Sequence, residues 1–223
     1  MPRTANPGGI AGTASGFFAA ALFRFVSTPA SSARALCGRS NNSNAGWYIY
    51  AGATHNQLYC RMFNGVGTSV NSPIYSVVAG DLDKVCGVVA VHDGSYVRLY
   101  VNRVEVGSGT AIVGYTAHAQ GTEIGGQGNG AGAYNISSNS GPCQLFGVTG
   151  GAGIPSLANV QAWFDACKSN YTCSAMPSVG SEHRWLCTSA TSPIADVGTV
   201  PEDASYTPSG MSVVTLSNPT WGW

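Results

Sequence analysis

Apolar positions along the chain fall in short runs punctuated by Gly, Asn and Pro. The clearest runs cover residues 17–26, 47–51, 57–63, 74–78, 84–92, 96–106, 122–125, 143–148 and 211–216. Runs of this length, rich in Val, Tyr and Phe, predict strands. Strands at this spacing, with almost no helical pattern between them, predict an all-β antiparallel sandwich or jelly roll. The strongest local signal lies at Asp93-Gly94. VCGVVAVH runs in, Asp-Gly turns, and SYVRLYVNRVEV runs out, because Gly supplies the positive φ a tight turn needs. On the outgoing strand Tyr96, Arg98, Tyr100 and Asn102 share one face and Val97, Leu99 and Val101 the other. One face therefore belongs to a core, and the other is polar and aromatic.

A single helix is predicted near residues 156–167. Ser156 is its N-cap, and Leu157, Val160, Phe164 and Cys167 fall on one stripe. The glycine stretch at 125–132 reads as a loop. It contains GQGNGA, which matches the dinucleotide fingerprint formally, but AYNISSNSGP follows it instead of a helix, so a cofactor cradle fails on context.

Composition narrows the field. Of 223 residues, 44% are hydrophobic and only 9% charged, and the formal net charge is zero. A disordered chain would need the opposite balance. Eight Arg and two Lys are scattered, so no basic face exists to track a phosphate backbone, and nucleic acid is not an expected partner. No run approaches the roughly 18 apolar residues of a membrane span. Residues 17–26 come nearest and contain Arg24. After Met-Pro-Arg the apolar stretch of a signal peptide is diluted by Gly8, Gly9, Gly12, Thr13 and Ser15, so none is expected.

Seven cysteines include no C-x-x-C pair, and zinc spacings fail. Cys60 and Cys86 sit in apolar runs as small core residues. Cys167 and Cys173 either close a short loop as a disulfide or remain reduced, the reduced state being the preferred reading.

The stretch VVAVHDGSYVRLYVNRVEVGSGT, followed by TEIGG, CQLFGV and an amphipathic helix after Pro155, resembles the laminin G-like group of concanavalin A-like jelly rolls. FFAAALFRF falls where that group has an early strand, and GWYIYAG with QLYCRMF matches its next hairpin. The resemblance covers about residues 15–168. It departs where a Trp-His pair gives way to Lys84-Val85-Cys86, and where the usual Asn-Gly turn becomes Asn102-Arg103. HRWLCTSATSPIADVGTVPEDASYTPSG looks like the opening of such a domain, yet lies near the C-terminal end. A permuted arrangement follows: one domain over residues 1–223, with residues 183–216 completing the sandwich.

The resemblance implies a non-enzymatic structural or adhesion module. Similar free-standing chains without a signal peptide are bacteriophage virion proteins of the decoration, fibre or tail-surface kind. The expected location is then a virion or an extracellular surface after cytosolic synthesis, and the expected partners are other subunits, including copies of this chain. A carbohydrate-binding lectin-like domain is the alternative and a glycan hydrolase the third reading. Hydrolysis needs a pair of carboxyl groups, commonly supplied from one strand face. E-x-D-x-x-E is absent, and the only acidic pair two residues apart, Asp81/Asp83, suits a turn cap. G-x-S-x-G and H-E-x-x-H are absent too. No cofactor is expected. Many laminin G-like domains bind calcium, and Asp81, Asp83 and Asp93 are the residues that would serve.

The binding candidates are aromatic. Trp47, Tyr48, Tyr50, Tyr59, Tyr96 and Tyr100 lie on or beside strands, where rings turned outward would stack on the C–H faces of a surface glycan. The alternative is that they fill the core or a subunit interface. Trp221 and Trp223 are too apolar to stay in water, so they dock on this domain or a neighbour, and the expectation adopted is a partner anchor.

Overall fold

FFAAALFRF shows no polar–apolar alternation because strand β1 (Phe17–Phe25) is covered on both faces. Phe17, Ala19, Ala21, Phe23 and Phe25 point into one apolar cluster, and Phe18, Ala20 and Leu22 into another. The computed structural model describes residues 4, 9–26, 34–40, 44–51, 57–119, 121–125, 143–179, 183–187, 194–200, 216 and 218–223.

After β1 come β2 (Arg34–Ser40), β3 (Gly46–Ala51), β4 (Gln57–Phe63), β5 (Ser69–Asn71) and β6 (Tyr75–Ser76). A 3₁₀ turn at Ala79–Asp81 leads to β7 (Val85–His92), β8 (Tyr96–Val101), β9 (Val104–Glu105), β10 (Thr110–Ala111) and β11 (Glu123–Ile124). The series ends with β12 (Cys143–Ala152), helix α1 (Leu157–Asn170) and β13 (His183–Leu186). Among the described residues these strands form two antiparallel sheets. The seven-stranded sheet runs β10-β8-β7-β1-β12-β13 with β9 beside β8, and the six-stranded sheet runs β11-β2-β3-β4-β5 with β6 beside β4. The fold is an all-β jelly-roll sandwich with one short helix.

The main core lies between the sheets, where Trp47, Ile49, Leu58, Cys60 and Met62 meet Val88, Val97, Leu99, Val101 and Trp185. The alternation on β8 is as predicted, with Val97, Leu99 and Val101 inside and Tyr100 on the opposite face. That outer face is covered by α1 through Val160, Trp163, Phe164 and Cys167. The helix can approach because β7 carries Gly87, where a Cβ would lie 2.5 Å from Cε1 of Phe164. The predicted helix is found with three further residues at its C-terminal end. Ser156 caps it, its Oγ accepting from the Asn159 N–H at 3.2 Å. The stripe is corrected at one position: Leu157 is 46% exposed, and Trp163 takes the buried place.

Four strands escape the pattern, among them the two-residue β10. β2 has charged or polar ends, β5 is three residues of mixed polarity, and β13 is a four-residue edge strand with His and Arg in it. β13 pairs with β12, Trp185 opposite Val148, and Trp185 enters the inter-sheet core. Part of the C-terminal segment thus lies on the larger sheet. The strand predicted at 211–216 falls outside the described residues except for Leu216, and the glycine loop does so beyond Gly125.

The β8–β9 connection is the two-residue turn Asn102-Arg103, with φ of 48° and 74°. Asn102 Oδ1 accepts from the Gly87 N–H at 3.0 Å, and Arg103 Nη1 reaches Asp165 of α1 at 2.8 Å. These contacts hold a conformation that Asn-Gly adopts with less strain.

Candidate functional site

Most of the aromatic candidates are enclosed. Trp47 lies in the inter-sheet core, its ring 5.8 Å from Phe17 and its Nε1 donating to the Ile10 carbonyl at 3.1 Å. Tyr100 is buried in the cluster beneath α1. Tyr48, Tyr50 and Tyr59 share the outer face of the smaller sheet with Phe63: the Tyr50 ring meets Tyr48 at 5.0 Å and Tyr59 at 5.4 Å, and Tyr48 meets Phe63 at 5.9 Å. Arg61 lies 5.9 Å from the Tyr48 ring and 5.6 Å from that of Tyr59, and its Nε donates to Asn71 Oδ1 at 2.7 Å. Burial pushes the Tyr48 phenol up to about 12 against the opposing pull of Arg61. None of these three tyrosines is more than 7% exposed. The expectation of an open stacking surface is therefore corrected for Trp47, Tyr48, Tyr50, Tyr59 and Tyr100. Period-two alternation says which side chains share a face, but not whether that face is covered.

Tyr96 is the exception, 44% exposed at the start of β8. Its backbone is set by the Asp93 turn. Asp93 Oδ1 accepts from the N–H groups of Ser95 at 3.0 Å and Tyr96 at 2.7 Å, and Gly94 takes a φ of 92°. Partial burial opposes ionisation of Asp93, but these N–H bonds and Arg98 prevail and hold its carboxyl below the usual range. Arg98, next on the same face, has its guanidinium carbon 5.8 Å from the Tyr96 ring centre. Its Nε lies 3.4 Å from Asp93 Oδ2, and its Nη1 donates to Glu105 Oε1 of β9 at 3.0 Å. Val97 and Leu99 anchor the strand from below, so the surface is carried on a rigid element. Gly109 closes one side: a Cβ there would lie 3.1 Å from Arg98 Cγ and 3.3 Å from Tyr96 Cβ. The surface combines an aromatic ring, a planar donor and two carboxylate acceptors. It suits a ligand with alternating C–H and hydroxyl faces. Arg98 and Glu105 were not singled out in the sequence; a charged residue between two tyrosines on one strand face was the available signal.

The acidic candidates are taken up by the fold. Asp81 caps the 3₁₀ turn, accepting from the Val78 N–H at 2.9 Å and from the Tyr75 hydroxyl at 3.0 and 3.1 Å. This is the turn-capping role expected of it. Asp83 is exposed with a φ of 59°. Asp93 is occupied as above. Among the described residues no group of three or more His, Cys, Asp or Glu is placed to hold a metal. The suggestion of calcium at Asp81, Asp83 or Asp93 therefore finds no converging ligand set.

The terminal tryptophans have an intramolecular place. The backbone at Trp221 pairs with Val85, through Val85 N–H to the Thr220 carbonyl at 2.8 Å and Gly222 N–H to the Val85 carbonyl at 2.9 Å. The Trp221 and Trp223 rings meet at 4.9 Å, and Lys168 Nζ donates to the Trp223 carbonyl at 2.7 Å. Both rings are half-buried on the helix side of the larger sheet, so their burial needs no second subunit.

A buried pair was not anticipated: His183 Nδ1 lies 2.8 Å from Asp196 Oδ2. Asp196 Oδ1 accepts from the N–H groups of Arg184 at 2.7 Å and Gly198 at 2.8 Å, and the His183 ring stacks flat on Trp185. The pair fastens residues 194–198 to β13.

No protein-family model matches the sequence, and no curated protein does. Solved structures match at low identity. The botulinum neurotoxin type G receptor-binding domain aligns with a TM-score of 0.53 and 9% identity over 68% of this chain and 38% of its own length. The receptor-binding domain of the botulinum neurotoxin C/D mosaic serotype gives 0.52 and 9% over 68% and 36%. A Bacteroides ovatus protein, provisionally described as carbohydrate-binding, gives 0.63 and 13% over 98% and 59%. The chain thus spans 36–59% of the length of these proteins, less than two thirds of each. The likeness, together with the two antiparallel sheets, establishes a jelly-roll sandwich of the kind these binding domains share.

Proposed function

We propose that the chain is a non-catalytic carbohydrate-binding module whose stacking residue is Tyr96. The observation that carries this reading is the exposed Tyr96 ring on a rigid strand, flanked by Arg98, Asp93 and Glu105. A sugar ring presents a C–H face to an aromatic ring and equatorial hydroxyls to charged partners, and this surface offers both. Two of the matched folds are described as receptor-binding and one as carbohydrate-binding, which supports the same reading. The reading is independent of whether the module is displayed on a virion, as the sequence resemblance implied, or elsewhere.

A glycan array followed by titration of the best binders tests it. Tyr96→Ala is expected to weaken binding about two- to tenfold, in line with roughly 0.5–1.5 kcal/mol for an aromatic contact. Tyr96→Phe keeps the stacking face and is expected to retain most of the affinity. Equal affinity for the wild type and Tyr96→Ala would move the site elsewhere. Release of reducing sugar by the wild type would replace the module with an enzyme.

A further inference from the structure

We infer that the Tyr96 surface selects uncharged, hydroxyl-rich glycans and discriminates against sialylated, uronic or sulfated ones. This rests on the carbohydrate-binding reading above and names the ligand class of the same site. Among the described residues, Arg98 lies over the Tyr96 ring and is paired with two carboxylates, Asp93 and Glu105. The one cation, Arg98, has its Nε turned to Asp93 at 3.4 Å and its Nη1 committed to Glu105 at 3.0 Å. Arg103, in the turn at the far end of β8, is paired with Asp165 of α1 at 2.8 Å. The ligand therefore meets a net negative surface whose guanidinium is already shared between two acids.

A sugar carboxylate or sulfate would have to displace Glu105 or Asp93 from Arg98, or take the remaining N–H donors of Arg98 while sitting beside both carboxylates. Either route meets like-charge repulsion. Neutral hydroxyls instead donate to the carboxylates, forming charge-assisted hydrogen bonds that leave the Arg98 pairs intact. The acids are built in. Asp93 is fixed by the turn through two N–H bonds, and Glu105 lies opposite Tyr100 in the β8–β9 ladder. The site is therefore not one that rearranges easily to welcome an anion.

The test uses the whole chain and matched probes, lactose against 3′-sialyllactose and cello-oligosaccharides against oligogalacturonates, by calorimetry or array. The neutral member of a recognised pair is expected to bind at least tenfold more tightly at low salt, and the gap is expected to shrink as salt screens the repulsion. Glu105→Gln removes one negative charge and is expected to narrow the ratio several-fold. If that variant fails to fold, the salt dependence of the wild type carries the same information. Equal or tighter binding of the acidic member would overturn this inference and leave the carbohydrate reading standing. Binding of no glycan of either class would overturn the carbohydrate reading and this inference with it.

Discussion

The Trp223 ring meets Phe164 of α1 edge-on, with centroids 5.2 Å apart. Phe164 in turn stands edge-on to Trp163 at 5.0 Å, and Trp163 Nε1 donates to the Ser174 carbonyl at 2.8 Å. The last residues of the chain are therefore part of the layer that seats the helix on the larger sheet.

Removal of residues 219–223 is expected to destabilise this domain itself. Two half-buried indoles account for about 2–4 kcal/mol of apolar burial. At this chain length that corresponds to a melting temperature lower by on the order of 10 °C. Thermal denaturation of the truncated chain checks it. An unchanged midpoint would mean that the rings contribute nothing to the fold and would return them to the role of a partner anchor.

Gly87→Ala is expected to cost about 1–3 kcal/mol. The added methyl would press on Phe164 Cε1 at 2.5 Å and Cδ1 at 2.9 Å, ring atoms held by Trp163 and Trp223. The lower entropy of the unfolded Ala chain offsets less than 1 kcal/mol of this. Gly80→Ala is the control, since its nearest neighbour would be a Val78 methyl at 4.0 Å, and it is expected to be neutral or slightly stabilising. Denaturant midpoints of the two variants separate helix seating from a general effect of replacing glycine.

His92 should make the fold acid-sensitive. Its ring is buried between Phe17 and Tyr115, at 5.7 and 5.4 Å, with Nδ1 donating to the Thr13 carbonyl at 3.3 Å and Nε2 enclosed with no hydrogen-bond partner among the described residues. Burial pulls its pKa below the ordinary value near 6.5, outweighing the Thr13 bond and the Asp93 charge that favour the cation. The unfolded chain then binds the proton more readily, so stability falls as pH drops through 6.5 and continues to fall until the folded value is passed. His118 is lowered as well, by burial and then by Arg39, so the diagnostic quantity is a difference. The drop in melting temperature between pH 7.5 and 5 is expected to be smaller in His92→Gln than in the wild type. Equal slopes would remove His92 from the account.

The thiols are expected to be inert in the folded protein. Six of the seven are buried and Cys187 is partly so, and all seven are unbridged. Burial pushes Cys86 up to about 11 and Cys187 up to about 12, and it raises Cys37, Cys60 and Cys173 as well. The thiolate is the reactive form, so these five carry little of it at pH 8, while Cys143 and Cys167 are shielded by burial. Alkylation at that pH is expected to be slow in native buffer and to label seven sites in denaturant without reductant. Labelling of five would show a disulfide, with Cys167 and Cys173 as the pair to map.

Local chemistry determined a good deal of this protein in advance. The Asp93-Gly94 turn, the alternation of Val97, Leu99 and Val101 against Tyr96, Arg98 and Tyr100, and the Ser156 cap all depend on neighbours within a few residues. They were legible for that reason, and the jelly-roll class followed from strand lengths and order. Covering of a face is different, because it depends on residues distant along the chain. Tyr96 and Tyr100 are equivalent by alternation, yet α1 and the terminal tryptophans belong to the cluster that buries Tyr100, and Tyr96 is left open. Tyr48 and Tyr50 look like stacking surface until Tyr59, Phe63 and Arg61 are placed beside them. β2, β5 and β13 carry little periodic signal of their own and become strands through their partners in the sheets. Arg98 becomes a bridge between Asp93 and Glu105 only when the β8–β9 turn folds back. Local pattern specified the long strands, the helix and the faces they offer. Which of those faces meet water was settled by packing between distant segments, and that packing is not encoded in the period of any one strand.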